Sequence, residues 1–148
     1  MSGDSAPRQK RYVPWLGVLF FLFVFRVAAQ LIQKFFNLPF LPPFADWYSG
    51  ALSYGLLLCS QVLIILILCW VIFAFVRTVI LPRHSLGKWL LAFGALYFSV
   101  MMFRLIAGLT FAAHDPWLGA KIPAFFHIVL ASFVLLVGHF HFTYGRRA

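Results

Sequence analysis

FVFRVAAQLIQK, residues 23–34, interrupts the apolar run VPWLGVLFFLFVFRVAAQLIQKFF (13–36) with Arg26, Gln30, Gln33 and Lys34. The run has 24 residues, more than the roughly 20 that cross about 30 Å of hydrocarbon as a helix. Gln30 and Gln33 follow Arg26 at i+4 and i+7, so the polar residues form one stripe along one helix face. A membrane helix with a single polar face is the reading that organises the rest of the chain.

Three more apolar runs follow at 47–76, 89–113 and 122–142. None alternates as ten-residue barrel strands do, and helices satisfy every backbone polar group internally. Of the 148 residues, 64% are hydrophobic and 10% charged, whereas soluble domains are nearer half apolar and a quarter charged. The expected fold is all-α: a polytopic, four-transmembrane-helix up-down bundle, with spans at 13–36, 47–76, 89–113 and 122–142. Residues 1–12 read as a disordered basic tail and 143–148 as a second short tail. The links LPFLPPFAD (38–46), VRTVILPRHSLGK (76–88) and HDPWLGAK (114–121) are short, which implies antiparallel neighbours.

The net charge of +9 does not imply nucleic acid, because the basic residues form no exposed stripe with interleaved aromatics. They sort by topology. Arg8, Lys10, Arg11, Arg77, Arg83, Lys88, Arg146 and Arg147 fall on one side, against Lys34 and Lys121 on the other. The positive-inside rule then makes both termini cytoplasmic. Trp47 and Trp117 are expected at the outer interface, with Trp15, Trp70 and Trp89 at the inner one. Compact size and the clean charge bias suggest a bacterial inner membrane. A signal peptide cleaved after Ala29 is the rival reading of the first run; Arg26 beside the cleavage site argues against it.

A shift of 78 residues lays Phe20, Phe25, Arg26, Ala29 and Leu31 onto Phe98, Phe103, Arg104, Ala107 and Leu109. Asp46-Trp47 follows the first arginine and Asp115-Pro116-Trp117 the second. This is the pattern of two repeated helical hairpins running in the same direction.

Both arginines fall in the outer third of their helices, and His127 lies just inside the last one. Ala124, Ala131 and Gly138 recur every seven residues beside His127, marking a packed face. Tyr54 and Gln61 share a face of the second run; Gln61 either caps the polar layer or makes a separate interhelical hydrogen bond. The candidate ligand-binding residues are therefore Arg26, Gln30, Gln33, Arg104, His127, Gln61 and Tyr54. An arginine at membrane depth costs about 2.5–3.5 kcal/mol on insertion scales, so each needs compensation. Either Asp46 and Asp115 pair with the arginines as a structural device, or the arginines bind a phosphate, carboxylate or carbonyl group through their planar forks.

Other chemistry has little support. Cys59 and Cys69 sit about 15 Å apart on one helix, too far for a disulfide, and read as buried small apolar residues. His139 and His141 point to different sides of a helix, which is poor metal geometry, and no metal ligand set is expected. Only His127 lies well inside a helix as a haem ligand would. Ser132, His127 and Asp115 lack the spacing of a catalytic set, and there is no Glu. The expectation is a non-catalytic integral membrane module: an accessory or assembly subunit, or a binder of a lipid or amphipathic anion. Alternatives are a small redox-associated subunit contacting quinone or haem, and a minimal transporter half acting as a homo-oligomer. The expected partners are the bilayer, a larger membrane complex or a second copy, with no nucleic acid.

Overall fold

The computed structural model describes residues 6–48, 50 and 52–145. They form α1 (Ala6–Phe36), the single turn α2 (Phe44–Trp47), α3 (Tyr54–Val76), α4 (His84–Leu109) and α5 (Lys121–Tyr144). The long helices α1, α3, α4 and α5 are each long and apolar enough to span a membrane. The described residues contain no strand. The chain has the architecture of a multi-pass, four-helix membrane protein.

The ends of the helices follow local chemistry. At the end of α1, Asn37 takes a left-handed conformation (φ 45°), which terminates the helix as such residues do. Gln33 serves this turn: its Oε1 accepts from Leu38 N at 2.9 Å and its Nε2 donates to Asn37 Oδ1 at 3.2 Å. Thr78 (φ 56°) ends α3 in the same way, with Val79 N donating back to Ala74 O at 3.2 Å.

Several boundaries differ from the sequence expectation. Helix α1 begins by Ala6, not at Val13, so residues 6–12 are not a loose tail; residues 1–5 lie outside the described residues. The reason is Gln9, which is fully buried. Its amide donates to Ile80 O at 3.0 Å and accepts from Ile80 N at 3.3 Å, tying the start of α1 to the loop after α3. The second span starts at Tyr54, because residues 44–47 form a separate turn after the prolines. Helix α4 runs 84–109, five residues earlier at its start than the expected 89–113. The final helix reaches Tyr144, so residues 143–144 of the expected tail are helical, Gly145 follows, and 146–148 lie outside the described residues.

The packing order is α3–α1–α5–α4. The two hairpins, α1/α3 and α4/α5, join through α1 and α5. Among the described residues α3 and α4 do not pack on each other, although they are consecutive. The hairpin α4/α5 is the tightest contact. A Cβ on Gly138 would lie 3.0 Å from Leu91 N, and one on Gly87 would lie 2.2 Å from Phe142 N. Small residues permit this approach, as in other membrane helix pairs; Ala124, Ala131 and Gly138 all lie on the buried face. Leu16, Phe23 and Val27 of α1 pack with Leu68 and Phe75 of α3 and Phe133 and Phe140 of α5. Helix α3 is the least covered, with 11% of its most apolar stretch buried against 39% for α5.

Two further expectations are corrected. Cys59 and Cys69 are exposed on α3 rather than buried, because that helix shows most of its circumference to the membrane. Trp47 is buried rather than interfacial: its indole donates to Pro42 O at 2.9 Å and its ring stacks on Phe126 with centroids 6.4 Å apart. Trp15, Trp70, Trp89 and Trp117 are exposed.

Candidate functional site

The basic loops define one end of the bundle, tied by Gln9 on α1 and by His141 Nδ1, which accepts from Arg83 N at 3.1 Å. His84 Nδ1 bonds Phe142 O at 2.8 Å and His139 Nδ1 bonds Tyr12 OH at 2.7 Å. These three histidines are structural ties. Measured along each helix at 1.5 Å per residue, Arg26 stands above Gln9, His127 above His141 and Arg104 above His84 by roughly 21–30 Å. They share a layer in the far third of a hydrocarbon core about 30 Å thick.

Arg26 and Arg104 are both buried, at 6% and 3% exposure. Their partners are not the expected acids. Neither guanidinium pairs with a carboxylate among the described residues. Arg104 Nε and Nη2 donate to Trp117 O at 3.0 and 2.7 Å, and the guanidinium carbon lies 4.2 Å from the Trp117 ring centroid. Arg26 Nη2 donates to Trp47 O at 3.5 Å, with the guanidinium 5.8 Å from the Phe126 ring centroid. Each arginine therefore grips the tryptophan carbonyl of its own hairpin loop. A backbone carbonyl can be brought to membrane depth at lower cost than a carboxylate, whose desolvation is far more expensive. Asp46 and Asp115 stay at the rim instead, where both line a polar cavity of about 510 Å³ between the two loops. Backbone N–H groups of Leu118 and Trp117 hold the Asp115 carboxyl below its ordinary pKa, through bonds of 2.7 and 2.9 Å.

Tyr97, which the sequence reading missed, completes the layer. Its hydroxyl bonds His127 Nδ1, and both groups lie within electrostatic reach of Arg26 and Arg104. The signal was present in the spacing: Tyr97 precedes Arg104 by seven residues and shares its helix face.

Below Arg26 the stripe on α1 continues into Gln30. Gln61 Nε2 of α3 donates to Gln30 Oε1 at 3.1 Å, so of the two roles open to Gln61 it takes the interhelical bond. Three buried polar atoms in this region have no partner: Arg26 Nε, Gln30 Nε2 and Gln61 Oε1.

The structure thus brings Arg26, Arg104 and His127 together and places Gln30 and Gln61 beside them. Gln33 belongs to the end of α1 and Tyr54 stands apart, in an aromatic group with Phe44 and Tyr48 over which Lys34 Nζ sits, 3.5 Å from the Tyr54 ring centroid. No group of three or more His, Cys, Asp or Glu capable of holding a metal occurs among the described residues. Comparison with family models, with curated proteins and with solved structures gives no match.

Proposed function

We propose that this chain is a non-catalytic membrane module that holds an anionic group, borne by a lipid or another amphipathic molecule, against Arg26 and Arg104. Such a module acts as an accessory or assembly subunit, with both termini on the cytoplasmic side of a bacterial inner membrane. One observation carries the reading. Two buried guanidinium groups share a layer at membrane depth, no carboxylate among the described residues neutralises them, and Arg26 Nε remains without a partner.

The physical argument is one of compensation. Carbonyls and ring faces satisfy part of the hydrogen-bonding capacity of the two arginines but cancel none of their charge. A buried, uncompensated charge is strongly destabilising, whereas a phosphate or carboxylate supplies both the countercharge and acceptors for the free donors. Gln30 Nε2, one turn along from Arg26, offers a second donor to the same group.

The test is native mass spectrometry of the full chain in mild detergent, with an absorbance spectrum on the same sample. The expected result is a retained anionic molecule that is lost in Arg26→Gln and in Arg104→Gln. A bare wild-type protein refutes the proposal, and a Soret band would transfer the reading to a redox-associated subunit.

A further inference from the structure

Resting on that reading, the packing of the bundle bears on how the anion reaches the arginines. Four seams and one end surround the layer, and most are closed. The α4/α5 seam is closed by backbone approach at Gly87 and Gly138, by Leu135 packed on Gly94, and at the layer by the Tyr97–His127 bond. The α1/α5 seam is filled by Phe126 over Arg26, with Trp47 stacked behind it. The α1/α3 seam is closed by the Gln30–Gln61 bond and the packing of Phe23 and Leu68. On the far end the loops leave the polar cavity lined by Asp46 and Asp115, whose carboxylates oppose an entering anion, and the Trp47 and Trp117 carbonyls are held by the arginines themselves. The seam between α3 and α4 remains, where the two helices do not pack on each other among the described residues.

The α4 side of this opening has the composition of a lipid track. Phe93, Tyr97, Val100 and Arg104 follow one another at steps of four, three and four residues, so they form one continuous helix stripe. Phe93 is 60% and Val100 45% exposed, while Arg104 at the far end of the stripe is buried. From Arg104 to Phe93 the stripe spans roughly 16 Å at the helical rise, about half the thickness of the hydrocarbon core. Its apolar part is exposed and its charged end lies in the far third of the hydrocarbon core, within reach of a lipid phosphate at the interface.

We infer that the ligand is an anionic membrane lipid that enters laterally between α3 and α4, its phosphate at Arg26, Arg104 and Tyr97 and an acyl chain along Val100 and Phe93. The match is one of charge and length together: two uncompensated positive charges sit at the head of an apolar stripe about one leaflet long. Basic pockets between membrane helices recognise lipid headgroups on the same principle. A water-soluble anion has no such use for the stripe.

The experiment reconstitutes the full chain in phosphatidylcholine nanodiscs containing phosphatidylglycerol and measures retained lipid by native mass spectrometry, with sodium phosphate as the soluble competitor. The expected result is selective retention of phosphatidylglycerol that sodium phosphate does not displace. Val100→Trp, on an exposed position where bulk does not threaten the fold, should lower retention about tenfold, the scale of about two acyl methylenes displaced from their apolar contact. Val100→Leu should retain binding. Displacement by sodium phosphate, or retention unchanged in Val100→Trp, overturns lateral access and leaves the anion reading standing. Retention that is unchanged in Arg26→Gln marks ordinary surrounding lipid and sinks both.

Discussion

The Gln30–Gln61 pair offers a quantitative test of how polar groups hold this bundle together. Gln30 is fully buried and Gln61 is 3% exposed, and one hydrogen bond of 3.1 Å joins them across α1 and α3. Replacing Gln61 with Leu removes that bond and strands the whole Gln30 amide. Interhelical hydrogen bonds in membranes average about 0.6 kcal/mol and reach about 1.7, and a stranded buried amide adds a desolvation cost of about 1–3 kcal/mol. The single variants Gln61→Leu and Gln30→Leu should each lose about 1–3 kcal/mol. The double variant exchanges both amides for apolar groups of similar length, removing the unpartnered Gln30 Nε2 and Gln61 Oε1 as well. It should recover most of the loss, a coupling of about 1 kcal/mol or more. Reversible unfolding in mixed detergent micelles, followed by far-ultraviolet circular dichroism, measures all four corners of the cycle. Additive losses would refute the reasoning, because they would mean that the two amides do not depend on each other.

Three further outcomes are expected. Gly87→Ala places a methyl 2.2 Å from Phe142 N, so the helices must separate, and the same unfolding assay should show a loss at or above the roughly 1–3 kcal/mol typical of overpacking. Asp115 has its folded-state pKa depressed by the Leu118 and Trp117 N–H groups; the stabilisation is present above the unfolded value near 3.9 and disappears as pH falls through the lower folded value. Thermal melts of the wild type and Asp115→Asn should therefore converge below about pH 4 and separate above it. Finally, a cysteine introduced at Arg83 should react with a membrane-impermeant maleimide from the cytoplasmic side only; labelling from outside would invert the proposed topology.

Much of the architecture was legible because membrane physics leaves few options. A run such as 13–36 must be a helix, and its length sets the span. The repeat anchored on Arg26 and Arg104 correctly paired the helices into α1/α3 and α4/α5, and the heptad of Ala124, Ala131 and Gly138 marked the packed face of α5. Helix ends were less legible. Gln9 looked like part of a solvated tail, since nothing local reveals that Ile80, 71 positions away, will receive its amide. Gln33 looked like part of the α1 polar stripe, but its proximity to Asn37 gave it a turn to close instead. The exposure of Cys59 and Cys69 could not be read either, because α3 is apolar all round and its pattern does not distinguish a lipid face from a packed one.

The partners of the arginines show why charge counting misled at the site. Two acids and two arginines on one side invited two salt bridges, and Asp46 and Asp115 stand next to or near the residues the arginines do contact. What decides between an acid and its neighbour's carbonyl is depth. Bringing a carboxylate down from the rim costs desolvation on top of what the arginine already costs, while Trp47 O and Trp117 O come without a charge to bury. Trp117 adds a ring face at 4.2 Å and thus a cation–π attraction; Trp47 brings its ring down with its carbonyl and stacks it on Phe126. The repeated unit is thus an arginine and a tryptophan-bearing loop, and the acids shape the rim. Because this arrangement satisfies donors without cancelling charge, it leaves the layer electrically incomplete.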